Sequence, residues 1–222
     1  MIYRMMNDPG NKRFYARLLT YYTYGTMIFA LAMMVFGMEI TKLFARRVEY
    51  FDAWYIFPFI IYSIVFGMMK DVATTGLSIS KKTKVIAATV IITAVLNLVL
   101  NILLIRLWGN QGAALSKMLS MLVFFALTLY YAQKAYPIPY ELKRIAIMLI
   151  IAAGLYGISV LFNSFDVALR LAAKSIIILS YPLVLYLFGF YEPVELNALQ
   201  SGWNKWSSPG EFKENIRRLV KK

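Results

Sequence analysis

Hydrophobic positions in this chain fall in long unbroken blocks. Six runs can be placed, over residues 18–40, 53–70, 85–107, 111–133, 142–162 and 168–190. Each is close to the 20 or so apolar residues that a helix needs to cross a hydrocarbon core about 30 Å thick. Strands of a closed barrel would alternate polar and apolar positions, whereas these runs are continuous and rich in Leu, Ile and Ala. The pattern predicts an all-α integral membrane protein. It predicts six transmembrane helices over residues 1–190, followed by a cytoplasmic amphipathic tail over 191–222.

The polar residues inside the runs are fewer and more informative. Thr93, Asn97 and Asn101 recur every four residues in the third run, so they share one face of a helix. Such a stripe either hydrogen-bonds a neighbouring helix or lines a cavity. Trp108-Gly109-Asn110-Gln111-Gly112 then reads as a tight turn, which makes the third and fourth runs an antiparallel hairpin. Beyond it, Gly112, Ser116 and Ser120 form a small-residue stripe that permits close backbone approach. Lys117 lies about 9 Å beyond Gln111, placed either to snorkel to the interface or to present a cation to an aqueous lumen. Arg106, near the outer end of the third run, is positioned to join it.

Other polar positions are read as interface features. Thr20, Tyr21, Tyr22, Thr23, Tyr24 and Thr26 make a polar-aromatic cluster at the head of the first run, either an aromatic belt or a cargo-contacting surface. Pro58 and Gly67 are candidate bends in the second run. Lys70-Asp71 reads as an ion pair at its end.

Composition agrees with the membrane reading, at 60% hydrophobic and 16% charged residues. Most of the 24 Lys and Arg residues fall before the first run, between the second and third, between the fourth and fifth, and after the last. Positive charge stays on the cytoplasmic side, so six crossings put both termini there. Basic loops beside membrane spans account for the net charge of +13, so no nucleic-acid partner is expected. With no cysteine, no histidine and only 11 carboxylates, the chain lacks the usual metal ligands and general bases, and no metal or cofactor is expected. No Walker sequence, GxGxxG, HExxH or GxSxG is present, so catalysis is not the expected task. In the tail, Ser207-Ser208-Pro209-Gly210-Glu211 has the marks of a helix start. Phe212, Ile216, Leu219 and Val220 then share one face, opposite Lys213, Arg217, Arg218, Lys221 and Lys222, as on a helix lying on an anionic leaflet; a solvated tail is the alternative. Trp203 and Trp206 would anchor the approach.

Taken together, Gly76-Leu77-Ser78-Ile79-Ser80-Lys81-Lys82-Thr83-Lys84, Leu96-Asn97-Leu98-Val99-Leu100-Asn101 and Gly112-Ala113-Ala114-Leu115-Ser116 resemble the polysaccharide-biosynthesis flippases. These are the Wzx-like oligosaccharide transporters of the MATE-like superfamily. The likeness extends over most of the chain, including the tail from Tyr191-Glu192-Pro193-Val194-Glu195-Leu196 to Lys205-Trp206. Members have two lobes, and six spans resemble the C-terminal one alone.

The resemblance implies a bacterial inner-membrane protein that passes an undecaprenyl-pyrophosphate-linked oligosaccharide from the inner to the outer leaflet, partnered by an N-terminal lobe or a second copy. It implies Lys117 and Arg106 as contacts to the anionic head and Thr93, Asn97 and Asn101 as polar lining. The family often carries a proline where this chain has Arg106 and a small hydroxyl residue where it has Lys117, so both departures add positive charge. A drug/cation antiporter of the same superfamily and a non-transporting membrane scaffold are the rival readings.

Overall fold

The computed structural model describes residues 11–45, 47–192 and Asn197. Of the tail read over 191–222, residues 193–196 and 198–222, with Trp203, Trp206 and the amphipathic helix from Ser207 onward, lie outside the described residues. Among those residues the secondary structure is helical throughout, without a strand. The chain divides into two compact units, Met1–Tyr181 and Pro182–Lys222.

In the first unit, α1 (Asn11–Val35) runs into the short α2 (Gly37–Phe44) across a slight break at Phe36. A 3-10 helix, Val48–Ile56, leads to α3 (Phe57–Ile79). Next come α4 (Thr83–Ala135), α5 (Leu142–Val160), a 3-10 turn at Leu161–Ser164 and the part of α6 (Val167–Leu187) that precedes Pro182. Five of these helical stretches are long and apolar enough to cross a bilayer. They are Asn11–Val35, Ala53–Ile79, Thr83–Ala135, Leu142–Ser164 and Val167–Leu187. This is the architecture of an all-α membrane protein.

The boundaries shift from those expected. The first helix starts earlier, at Asn11, because Tyr15, Ala16 and Leu19 pack inward. Pro58 does not bend a span: it stands in the first turn of α3, where its missing N–H leaves no bond unmade. Lys70-Asp71 does not end that span either. The helix continues to Ile79 because Ala73, Leu77 and Ile79 supply another buried face.

α4 is 53 residues long, but it is not one rod. Gly109 adopts φ 53° and ψ −130°, outside the helical region, and divides the element into a first arm (83–108) and a second arm (110–135). On a straight helix Asn97 and Ser120 would stand about 35 Å apart. Instead their side chains hydrogen-bond at 3.1 Å, so the arms are antiparallel.

Apolar spacing sets the packing. α1 buries Thr23, Met27, Leu31 and Met34 against its neighbours, and α5 buries Ile145, Met148, Ala152 and Leu155. Tyr62 on α3 donates to the Leu149 carbonyl on α5 at 2.7 Å, and Tyr181 on α6 donates to the Met148 carbonyl at 3.3 Å. Each satisfies a phenol that would otherwise be buried unpaired.

One end of the unit gathers the start of α1, the end of α3 and the loop after α4. Tyr15, Ala16, Ile79 and Ile138 form a buried cluster there, flanked by Phe14, Tyr136 and Tyr140. Burial pushes the Tyr140 phenol up to about 12, which keeps it neutral in ordinary buffers. Thr20 and Arg144 both reach Glu141 nearby, at 3.0 and 3.2 Å. Tyr136 donates to Asn11 at 2.9 Å, which ties the loop to the head of α1.

In the second unit the last turns of α6 follow Pro182. They close through hydrogen bonds from Gly189 to Tyr186 and from Phe190 to Leu185, with Gly189 at φ +67°. A glycine in this conformation is the usual helix stop.

Candidate functional site

The hairpin of α4 places the polar residues singled out in the sequence. Thr93 is buried, and its hydroxyl donates to the Thr89 carbonyl at 2.7 Å on its own arm. Asn97, half-buried, sends its amide across to Ser120 at 3.1 Å and Ser116 at 3.5 Å. Asn101 donates to the Asn97 side-chain oxygen at 3.1 Å. Ser116 donates back to the Asn97 carbonyl at 3.4 Å, and Ser120 to the Ser116 carbonyl at 2.8 Å. The two sequence stripes are thus the facing halves of one polar seam. Without water in the bilayer to satisfy these groups, their pairing fixes the register of the arms.

Asn97→Leu should therefore lower stability by about 0.6–2 kcal/mol, the usual worth of a membrane interhelical contact. Thermal unfolding in detergent would show it, and an unchanged midpoint would mean the seam carries no register energy.

Arg106 and Lys117 stand apart from the seam. Both are exposed, and neither pairs with a carboxylate among the described residues. They are set on the arms on either side of the Gly109 turn, three residues before it and eight after it. Beside them, Val95, Leu98, Ile102, Leu103, Leu107 and Trp108 expose large apolar side chains from the first arm. A surface of this kind faces lipid or another protein segment.

Two cavities flank the hairpin. One, of about 380 Å³, is lined by Pro58, Phe59, Tyr62 and Phe66 of α3, Met118 and Leu122 of the second arm, and Leu149, Ile150, Ala153 and Tyr156 of α5. Two phenols line it: the Tyr62 hydroxyl, already spent on the Leu149 carbonyl, and Tyr156. The other, of about 140 Å³, lies among Lys70, Asp71, Thr74, Thr89, Phe124 and Thr128, with Leu77, Ile86 and Val90. Lys70 pairs with Asp71 there, and the buried Thr128 hydroxyl has no protein partner. The space admits a few water molecules, which would complete that hydroxyl.

A third feature was not legible in the sequence as a unit. Glu39 on α2 meets Arg170 and Lys174, one turn apart on α6. Arg170 Nε is 2.8 Å from Glu39 Oε1, and Lys174 Nζ lies 2.9 Å from each carboxylate oxygen. Lys174 is 1% exposed. The four-residue spacing of Arg170 and Lys174 was the one available signal. Nothing in the sequence said which carboxylate, more than 130 residues earlier, would answer it.

Of the elements on which the flippase resemblance rests, the asparagine and glycine-serine stretches are the two sides of the seam, and Gly76–Lys84 is the α3–α4 turn that feeds it. Comparison with protein-family models, with curated proteins and with solved structures finds no match for this chain.

Proposed function

We propose that the chain is one lobe of a flippase for lipid-linked oligosaccharides. It crosses the bacterial plasma membrane six times, the two arms of α4 counting as two crossings, with both termini cytoplasmic. The observation that supports this reading most is the hairpin, since the motifs shared with the Wzx-like family are the residues that build its polar seam and its close approach. Asn97 holds the hairpin in register through Ser116 and Ser120, and Thr93 and Asn101 continue its polar face as lining. Arg106 and Lys117, exposed on its surface and without a carboxylate partner among the described residues, contact the pyrophosphate of an undecaprenyl-linked sugar by charge-assisted hydrogen bonds, without hydrolysis. A second lobe, supplied by another segment or another copy, covers the exposed apolar face of the first arm. Rocking of the two lobes then moves the sugar head between leaflets while the lipid tail stays in the bilayer.

Drug/cation antiport is the rival within the same superfamily. It calls for a free membrane-embedded carboxylate to take the coupling ion, and Glu39 already holds two cations. Non-transporting scaffolding is the other rival.

Reconstitution tests the proposal. A fluorescent undecaprenyl-pyrophosphate-linked oligosaccharide is followed in proteoliposomes with the chain alone, with a matching N-terminal lobe, and with Lys117→Ala in the active form. Flipping that needs the second lobe and drops about tenfold in Lys117→Ala is expected, a loss of the size of one charge-assisted contact. No flipping in any form would reject the flippase reading in favour of the antiporter or the scaffold.

A further inference from the structure

Glu39, Arg170 and Lys174 do not balance. One carboxylate meets two cations, and Lys42, one turn along α2 from Glu39, adds a third positive charge that acts on Lys174 through space. Lys42 is exposed and has no carboxylate partner among the described residues. Lys174 donates to both Glu39 oxygens. Arg170, its side chain 11% exposed, is less completely engaged: Nε lies 2.8 Å from Glu39 Oε1 without a hydrogen bond from that nitrogen, and Nη1 reaches the Asn163 carbonyl through a long 3.5 Å contact. Asp166, one turn before Arg170, accepts from the Ala168 N–H and forms no ion pair among the described residues, so three cations face two carboxylates and the surplus positive charge rests on Arg170 and Lys42.

Its position says what can neutralise it. Asn163 belongs to the turn between α5 and α6, and Arg170 follows the start of α6 by about 4.5 Å of helix. Lys42 lies in the last turn of α2. The site is thus at the end of the apolar spans, where phospholipid headgroups lie, rather than at the bilayer centre. The residues next to the two cations are apolar and open: Leu43 is 78% exposed, Phe44 77% and Leu171 39%. Cationic side chains at headgroup depth, bordered by outward hydrocarbon side chains, complement a ligand with an anionic phosphate and an acyl chain.

We infer that Lys42 and Arg170 seat the phosphate of an anionic bilayer phospholipid, whose acyl chain lies along Leu43 and Leu171. Glu39 and Lys174 form the fixed pair beneath the seat and hold Arg170 in place. The inference does not depend on the transport reading.

Lipid binding to the purified full chain in neutral detergent is the test, with phosphatidylglycerol, phosphatidylcholine and inorganic phosphate as probes read by native mass spectrometry. Phosphatidylglycerol should bind in preference to phosphatidylcholine, and Lys42→Ala and Arg170→Gln should each weaken it about fivefold. Inorganic phosphate at equal concentration should not displace it. Arg170→Gln leaves the Glu39–Lys174 pair charge-balanced and Lys42 is exposed, so both variants are expected to fold; a thermal melt confirms it. Equal binding of the two lipids, displacement by inorganic phosphate, or the same loss in the distant exposed Lys84→Ala would each overturn the inference.

Discussion

Gly112→Ala is expected to break the hairpin. A β-carbon at Gly112 would stand 1.9 Å from the Leu104 carbonyl oxygen and 2.4 Å from its carbon, on the opposite arm. These are backbone atoms of a continuous helix, so no rotamer change clears the space. The arms must separate by more than 1 Å, and the Asn97–Ser120 bond at 3.1 Å lies only two turns from the collision. Overpacking a tight core costs about 1–3 kcal/mol when side chains can yield. Against rigid backbone the loss should reach or exceed the top of that range, enough to remove a large share of a typical domain's stability.

Gly109→Ala makes the companion measurement. Gly109 has open space around its missing side chain but combines φ 53° with ψ −130°, outside the left-handed helical region and close to glycine-only, so its cost is conformational, about 1–3 kcal/mol. Thermal unfolding of both variants in one detergent should place Gly112→Ala below Gly109→Ala, and the reverse order would mean that the arms are not in contact at Leu104.

Why this hairpin could be read from the chain, and other features could not, follows from the distances involved. Asn97, Asn101, Gly112, Ser116 and Ser120 lie within one short segment. A helix repeats every 3.6 residues, so four-residue spacing on both sides of a turn aligns the two stripes automatically. Span ends were less legible because apolar continuity alone does not mark where burial stops. Asp71 looks like a terminus, yet the helix continues since its carboxylate is 70% exposed while Ala73 and Leu77 still face inward. Pro58 reads equally as a bend or as a first-turn residue until the 3-10 segment before it is known. The exposure of Lys117 depends on how the arm is rotated against α3 and α5, which no local spacing fixes. The Glu39 cluster is the extreme case, since it joins two helices whose only link is the packing of everything between them.

Glu39→Gln is the second substitution expected to have a large effect. The amide keeps the shape of the carboxylate and one acceptor oxygen, so packing is nearly unchanged and the loss is electrostatic. Arg170 and Lys174 would then lie one turn apart with no ion-paired carboxylate among the described residues, Lys174 wholly buried and Lys42 adding repulsion. Breaking a buried ion pair on one side costs about 3–5 kcal/mol, chiefly through the charge left behind. The exposed Lys70–Asp71 pair is the contrast: Asp71→Asn should change stability by less than about 1 kcal/mol, because solvent already screens it. A double-mutant cycle separates lost charge from lost shape. Lys174→Met added to Glu39→Gln removes the most deeply buried unmatched cation and should restore a substantial part of the melting temperature. The resulting coupling energy, above about 1 kcal/mol, is expected for residues in direct contact. A Glu39→Gln protein that melts with the unaltered chain, or a double variant no more stable than the single, would show that α2 and α6 are not held together by this cluster.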